Sequence, residues 1–135
     1  MLHVVRVYLV RHAKAEDGEP DTERRLSVEG RKQARDLAER LRREGVRPDA
    51  VLTSPLVRAR QTAEEIARAV GIEAEADGRL APGATADDLR AAVAGRGATV
   101  IAVGHQPDCG RIAAELTGGP EPPFPAAGVV PVDLG

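Results

Sequence analysis

The chain has 135 residues, 30% charged and 42% hydrophobic, with 19 basic against 21 acidic side chains for a net charge of -2. That is the length of one domain, residues 1–135, with enough Val, Leu, Ile and Ala to bury a core, which excludes disorder and fibrous repeats. The balanced charge argues against whole-molecule attraction to nucleic acid or membrane, and two aromatic residues, Tyr8 and Phe124, supply no stacking platform for single strands.

From the N-terminus, His3 to Val10 is short and rich in β-branched residues, the pattern of a buried strand, with His3 as a strand residue of no catalytic part. A polar loop runs to about Arg25. Ser27 then caps a helix whose apolar stripe is Ala34, Leu37, Ala38 and Leu41, ended at Gly45. Asp49 to Thr53 reads as a second strand. Ser54-Pro55 predicts a helix start, hydroxyl cap and then proline at the first helical position, with Ala59, Ala63, Ile66, Ala67 and Val70 buried and Gly71 closing it. A strand is expected over Ile72 to Ala76, and Thr85 with Asp88 resembles a capping box ahead of Leu89, Ala92 and Val93. Ala98 to Gly104 is a strand, and Cys109, Ile112, Ala113 and Leu116 make another helical stripe, stopped by Gly118. Gly119 to Pro125 is a loop, and Val129 to Leu134 is a last strand that Pro131 confines to an edge or a bulge. Strands alternating with helices give an α/β fold, a three-layer sandwich with a mostly parallel central sheet flanked by helices.

Such sheets bind ligands at the carboxyl ends of their strands. One end runs into Arg11-His12, another into Ser54-Pro55 with Arg58 a turn further on, and a third into Gly104-His105. A helical side chain leans toward its helix N-terminus, so Arg58 reaches back over the sheet edge, while Arg60 points about 200° away. Taken singly, each of these residues reads as an ordinary loop or surface group. Together they suit phosphate: arginine forks match its oxygens, one imidazole can attack phosphorus, and a second, if protonated, can donate to an equatorial oxygen.

Val10-Arg11-His12-Ala13 resembles the Arg-His-Gly signature of the histidine phosphatase superfamily, the phosphoglycerate-mutase-like fold. Thr53 to Ala63 resembles its second motif, and Val103-Gly104-His105-Gln106-Pro107 its third. The short length and the Arg-His-Ala-Lys-Ala form are most similar to the SixA branch of phosphohistidine phosphatases. The resemblance implies that His12 is the phosphorylated nucleophile and that Arg11, Arg58 and His105 form the phosphate pocket, without a metal or organic cofactor. It also implies a phosphate contact from Arg24. By itself, Arg24 reads equally well as a surface charge.

Mutases and phosphomonoesterases of that superfamily carry a proton-donating Glu in a Leu-x-Glu pattern, and the matching segment here is Leu80-Ala81-Pro82-Gly83. An alkoxide leaving group needs a general acid, whereas a phosphohistidine can release a neutral imidazole if its other nitrogen carries a proton. Pro82 therefore points to N–P cleavage, with Glu16, Asp17 or Asp77 as the remaining candidate proton sources. Short connections leave an open pocket unless residues 119–125 fold over it. The expected partner is a phosphohistidine-bearing protein; the alternatives are a small phosphate ester as substrate, or a non-catalytic module that binds phosphoproteins.

The basic residues of the first helix are interleaved with acids at helix-supporting spacings such as Asp36–Arg40 and Glu39–Arg43, which describes a solvated face. Cys109 sits on an apolar stripe and is expected to be packed. Alone, it can form neither an internal disulfide framework nor a cysteine zinc cluster. Ser54 reads as a helix cap. No apolar run approaches the roughly 20 residues of a bilayer span, and Met1 to Val10 lacks a signal-peptide pattern, so a cytoplasmic protein is expected.

Overall fold

The computed structural model describes residues 4–135. Nine principal elements follow in chain order: β1 (Val5–Arg11), α1 (Val28–Arg43), β2 (Ala50–Thr53), α2 (Val57–Val70), β3 (Ala74–Ala76), α3 (Ala86–Val93), β4 (Thr99–Gly104), α4 (Asp108–Thr117) and β5 (Val129–Leu134). His3, expected in the first strand, lies outside the described residues. The sheet order is β3-β2-β4-β1-β5, parallel except for β5, which runs antiparallel to β1 along the edge. Pro131 stands in that edge strand opposite Tyr8, where a missing N–H costs no interior ladder bond.

Strand periodicity sorts the core into two layers. On one face Val7, Leu9, Leu52, Val100 and Ala102 pack against Leu89 and Val93 of α3, Cys109 and Ile112 of α4, and Phe124. On the other, Val10, Val51, Ile101 and Val103 pack against Leu37 and Leu41 of α1 and Ala63 and Ile66 of α2. The result is the expected three-layer α/β sandwich. Among the described residues, no helix is long and apolar enough to cross a membrane.

Local signals explain most boundaries. Ser27 Oγ accepts the Gly30 N–H at 3.0 Å to cap α1, and Gly45 past its end has φ +78°. Thr85 and Asp88 form the capping box of α3, and Gly71 and Gly118 end α2 and α4 in the left-handed region. The start of α2 differs from expectation. Helical residues begin at Val57, Leu56 is the cap residue without a side-chain hydrogen bond, and Ser54 lies outside the helix. The Ser54 hydroxyl is engaged elsewhere, with His105 and the Leu56 N–H. Val70 is only half-buried. On α1, Asp36 pairs with Lys32 at 2.9 Å in place of Arg40, while Glu39 bonds Arg42 at 2.5 Å and lies 3.9 Å from Arg43. These exposed pairs form a solvated face, as the spacing suggested.

Candidate active site

Three neighbouring strand ends build the site. Arg11 is in register with Gly104, and the ladder continues past both strands: the His12 N–H donates to the Gly104 carbonyl at 3.1 Å and the Ser54 N–H to the Val103 carbonyl at 2.9 Å. His12 and Ser54 are thereby fixed by backbone pairing, and His105 follows directly on the paired Gly104. The two imidazole rings meet edge to face with centroids 5.1 Å apart.

The first two turns of α2 complete the arrangement. Arg58 is 5% exposed, and its guanidinium reaches back as its helical position predicts. Nε donates to His12 Nε2 at 3.3 Å, Nη1 to the Asp21 carbonyl at 2.8 Å and Nη2 to Asp21 Oδ2 at 3.2 Å. One turn on, Thr62 Oγ1 donates to the Arg58 carbonyl at 2.9 Å and accepts the Ala13 N–H at 3.0 Å, while Gln61 Oε1 accepts the Leu26 N–H at 2.8 Å. Positions 58, 61 and 62 share one face of the helix, so a single turn holds both ends of the segment that follows His12.

His12 Nδ1 lies 2.7 Å from the Ala13 carbonyl. An acceptor there keeps a proton on Nδ1 and leaves the lone pair on Nε2, beside Arg58. Burial pushes the His12 pKa down to about 4, assisted by the charges of Arg58, Arg11 and Arg24 against the opposing Ala13 bond. Burial also pushes His105 down to about 4, with further lowering by His12 and Arg58. Both rings are therefore neutral at pH 7, whereas the sequence suggested a second imidazole that acts when protonated.

These side chains line a cleft of about 450 Å³ with Lys14, Asp21, Arg24, Pro82, Gln106 and Ala126. Two buried nitrogens of the lining, Arg11 Nε and His105 Nδ1, have no hydrogen-bond partner among the described residues. Arg11 Nη1 donates to the Phe124 carbonyl at 2.9 Å. Phe124 itself is in the core, so residues 119–125 flank the cleft and contribute none of its lining. Arg24 does line it, tied to Asp21 Oδ1 at 3.0 Å and to the Glu16 carbonyl at 3.2 Å, whereas Arg25 faces an outer hollow.

The carboxylate in the cleft is Asp21, which sequence reasoning missed. Glu16 and Asp17 are exposed on the outer hollow of the same loop, and Asp77 is paired with Arg79 at 2.7 Å. Asp21 sits four residues beyond the nearest candidate, in a short 3-10 turn over Arg58, and only that long-range contact marks it. The Arg24 hydrogen bond and the Arg58 charge hold its carboxyl below the usual range, so it is ionised at neutral pH. Cys109 is buried with its thiol pushed up to about 12, mainly by desolvation, the behaviour of a packed cysteine.

Residues 7–82 match the histidine phosphatase superfamily (branch 1), more than half of the chain. The chain belongs to that superfamily. It is a phosphatase of the kind that works through a histidine nucleophile. Among the histidine phosphatases, the phosphohistidine phosphatase SixA of Escherichia coli K12 is 31% identical over 96% of this chain and 86% of its own length. The structure of the protein histidine phosphatase SixA complexed with tungstate superposes with a TM-score of 0.84 at 30% identity, covering 94% of this chain and 86% of that one. An uncharacterised protein of Picosynechococcus sp. is 37% identical over 85% of this chain and 74% of its own length.

Proposed function

We propose that this histidine phosphatase removes phosphate from phosphohistidine on a protein, through a phosphoryl group held covalently on His12. The observation that carries the reading is the state of the His12 ring: neutral, with Nδ1 on a carbonyl and Nε2 presented to a cleft walled by Arg11 and Arg58. The Nε2 lone pair attacks phosphorus, the substrate P–N bond breaks, and its electron pair stays on the substrate imidazole. That imidazole leaves neutral when its other nitrogen carries a proton. Arg11, Arg58 and His105 hold the phosphoryl oxygens, and Arg24 adds positive charge at the rim.

The second step reuses the Ala13 contact. Phosphorylated on Nε2 and protonated on Nδ1, the His12 ring is a cation. Water attack on phosphorus then expels neutral imidazole and yields inorganic phosphate and a proton.

The lining of the cleft favours N–P over O–P cleavage. Pro82 lines the cleft at the position matching the superfamily's proton-donating Glu, and Asp21 is ionised between two arginines. Similarity to SixA over nearly the whole chain supports the same substrate class. Asp21 is also the one feature that favours a small-molecule phosphomonoesterase, since a carboxylate within the cleft can in principle be recruited as a donor.

The test is phosphate release from a phosphohistidine-bearing phosphocarrier protein, wild type against His12→Ala, with an aryl phosphate ester in parallel. The reading expects fast release that His12→Ala abolishes, with feeble ester turnover. Efficient ester turnover with the phosphocarrier untouched overturns it in favour of the phosphomonoesterase.

A further inference from the structure

Ser54 follows β2 fully buried, and the mechanism above gives its hydroxyl no part. Oγ lies 2.7 Å from His105 Nε2 and accepts the Leu56 N–H at 3.2 Å. A serine hydroxyl has one proton to donate and two lone pairs with which to accept. Among the described residues, that proton has no acceptor besides His105 Nε2. If it goes there, Nε2 is the acceptor and the single proton of a neutral His105 resides on Nδ1. The reverse arrangement, Nε2–H donating to Oγ, strands the serine proton in a buried site. It also turns a bare Nδ1 lone pair toward whatever anion the cleft takes up. Nδ1 is the nitrogen of this ring that is buried without a partner among the described residues, and the ring meets His12 edge to face.

We propose that Ser54 is a positioning residue whose hydroxyl donates to His105 Nε2 and so fixes the tautomer in which Nδ1–H is the donor to the phosphoryl oxygen. The inference rests on the phosphate-cleft reading given above. It explains how His105 serves an anion without carrying a charge of its own, since burial keeps the ring neutral in the resting cleft. It also explains why the serine stands apart from the helix it was expected to cap: the hydroxyl cannot donate to His105 from the cap position of α2, two residues further on.

Long-range proton–nitrogen NMR of the 15N-labelled full chain near pH 7 tests this directly, with the His105 signals assigned by their loss in His105→Asn. The wild type is expected to show Nδ1 protonated and Nε2 as a bare acceptor, and added inorganic phosphate to shift the Nδ1 resonance. Ser54→Ala should release the tautomer preference and lower kcat/KM on the phosphocarrier by roughly 10- to 100-fold, the usual effect of losing a ring-orienting partner. Ser54→Thr, which keeps the hydroxyl, should restore both. A wild-type ring protonated on Nε2 or on both nitrogens overturns the proposal, as does a Ser54→Ala protein with unchanged tautomer and turnover. The wild-type spectrum decides even if Ser54→Ala does not fold. If the wild type releases no phosphate from the phosphocarrier, the functional reading fails, while the resting spectrum still judges the tautomer.

Discussion

Gly30 lies in the first turn of α1, buried against the segment that carries His12, and its replacement by alanine has a calculable consequence. A Cβ added there falls 1.9 Å from the Lys14 carbonyl oxygen and 2.8 Å from its carbon. Both contacts are with backbone, so no rotamer relieves them, and the two segments must part by about 1 Å or more to reach van der Waals distance. The Lys14 peptide is not free to move. Its carbonyl accepts from the Ser27 N–H at 3.0 Å and its N–H donates to Gln33 Oε1 at 2.9 Å. Overpacking of this kind costs about 1–3 kcal/mol, against roughly 1 kcal/mol gained when alanine replaces a helical glycine. A net loss of up to about 2 kcal/mol is expected by urea denaturation. Because Lys14 is two residues from His12, a displacement of about 1 Å should also lower phosphocarrier turnover by roughly 100-fold. Gly110→Ala is the control, because its nearest neighbours, at 3.2 and 3.3 Å, are the side-chain ends of Glu121 and Gln106 and not backbone, so a shift of a few tenths of an ångström suffices. That variant should be as stable as the wild type or up to about 1 kcal/mol more so. A Gly30→Ala protein matching the wild type in both stability and turnover would refute the close-approach argument.

Arg58→Lys should lower kcat/KM by about 100-fold or more, since one ammonium cannot replace a fork that spans His12 and Asp21; near-normal kinetics would deny the fork its role. Pro82→Glu should raise hydrolysis of an alkyl phosphate, whose leaving group needs a proton, by about 100-fold; no gain on the ester would show that this position cannot deliver a proton to the leaving group. The His12 and His105 pKa values lie at about 4 in the folded chain, below the ordinary histidine value of 6.5. The unfolded chain therefore binds more protons between those limits, and stability should fall as pH drops from about 6.5 toward 4. Urea midpoints at pH 7 and 5 measure the fall, and it should shrink in His105→Asn; an equal fall in that variant would contradict the neutral ring.

Much of the fold could be read from local chemistry. Ser27, Thr85, Gly45, Gly71 and Gly118 act within a few residues of themselves, and the alternation along β1 and β4 separates the two core faces without reference to anything distant. Arg11, His12, Arg58 and His105 were legible because three strand ends and one helical lean bring them together. What escaped depends on contacts across the fold. Ser54 followed by proline has the local form of a cap, yet its hydroxyl is claimed by a histidine 51 positions away. Asp21 is one acid among several in a polar loop until Arg58, 37 positions on, selects it. Gly30 looks like a weak spot in a helix, and only the Lys14 carbonyl explains it.

The central claim is that a phosphoryl group passes through His12. Rapid mixing of the protein with a phosphohistidine-bearing phosphocarrier, base quenching and mass spectrometry of the peptides tests it most directly. The account predicts an acid-labile, base-stable phosphate on His12 that forms before inorganic phosphate appears, decays at the turnover rate and is absent from His12→Ala. Phosphate release at full rate with no phosphorylated His12, or with the group on another residue, would contradict it.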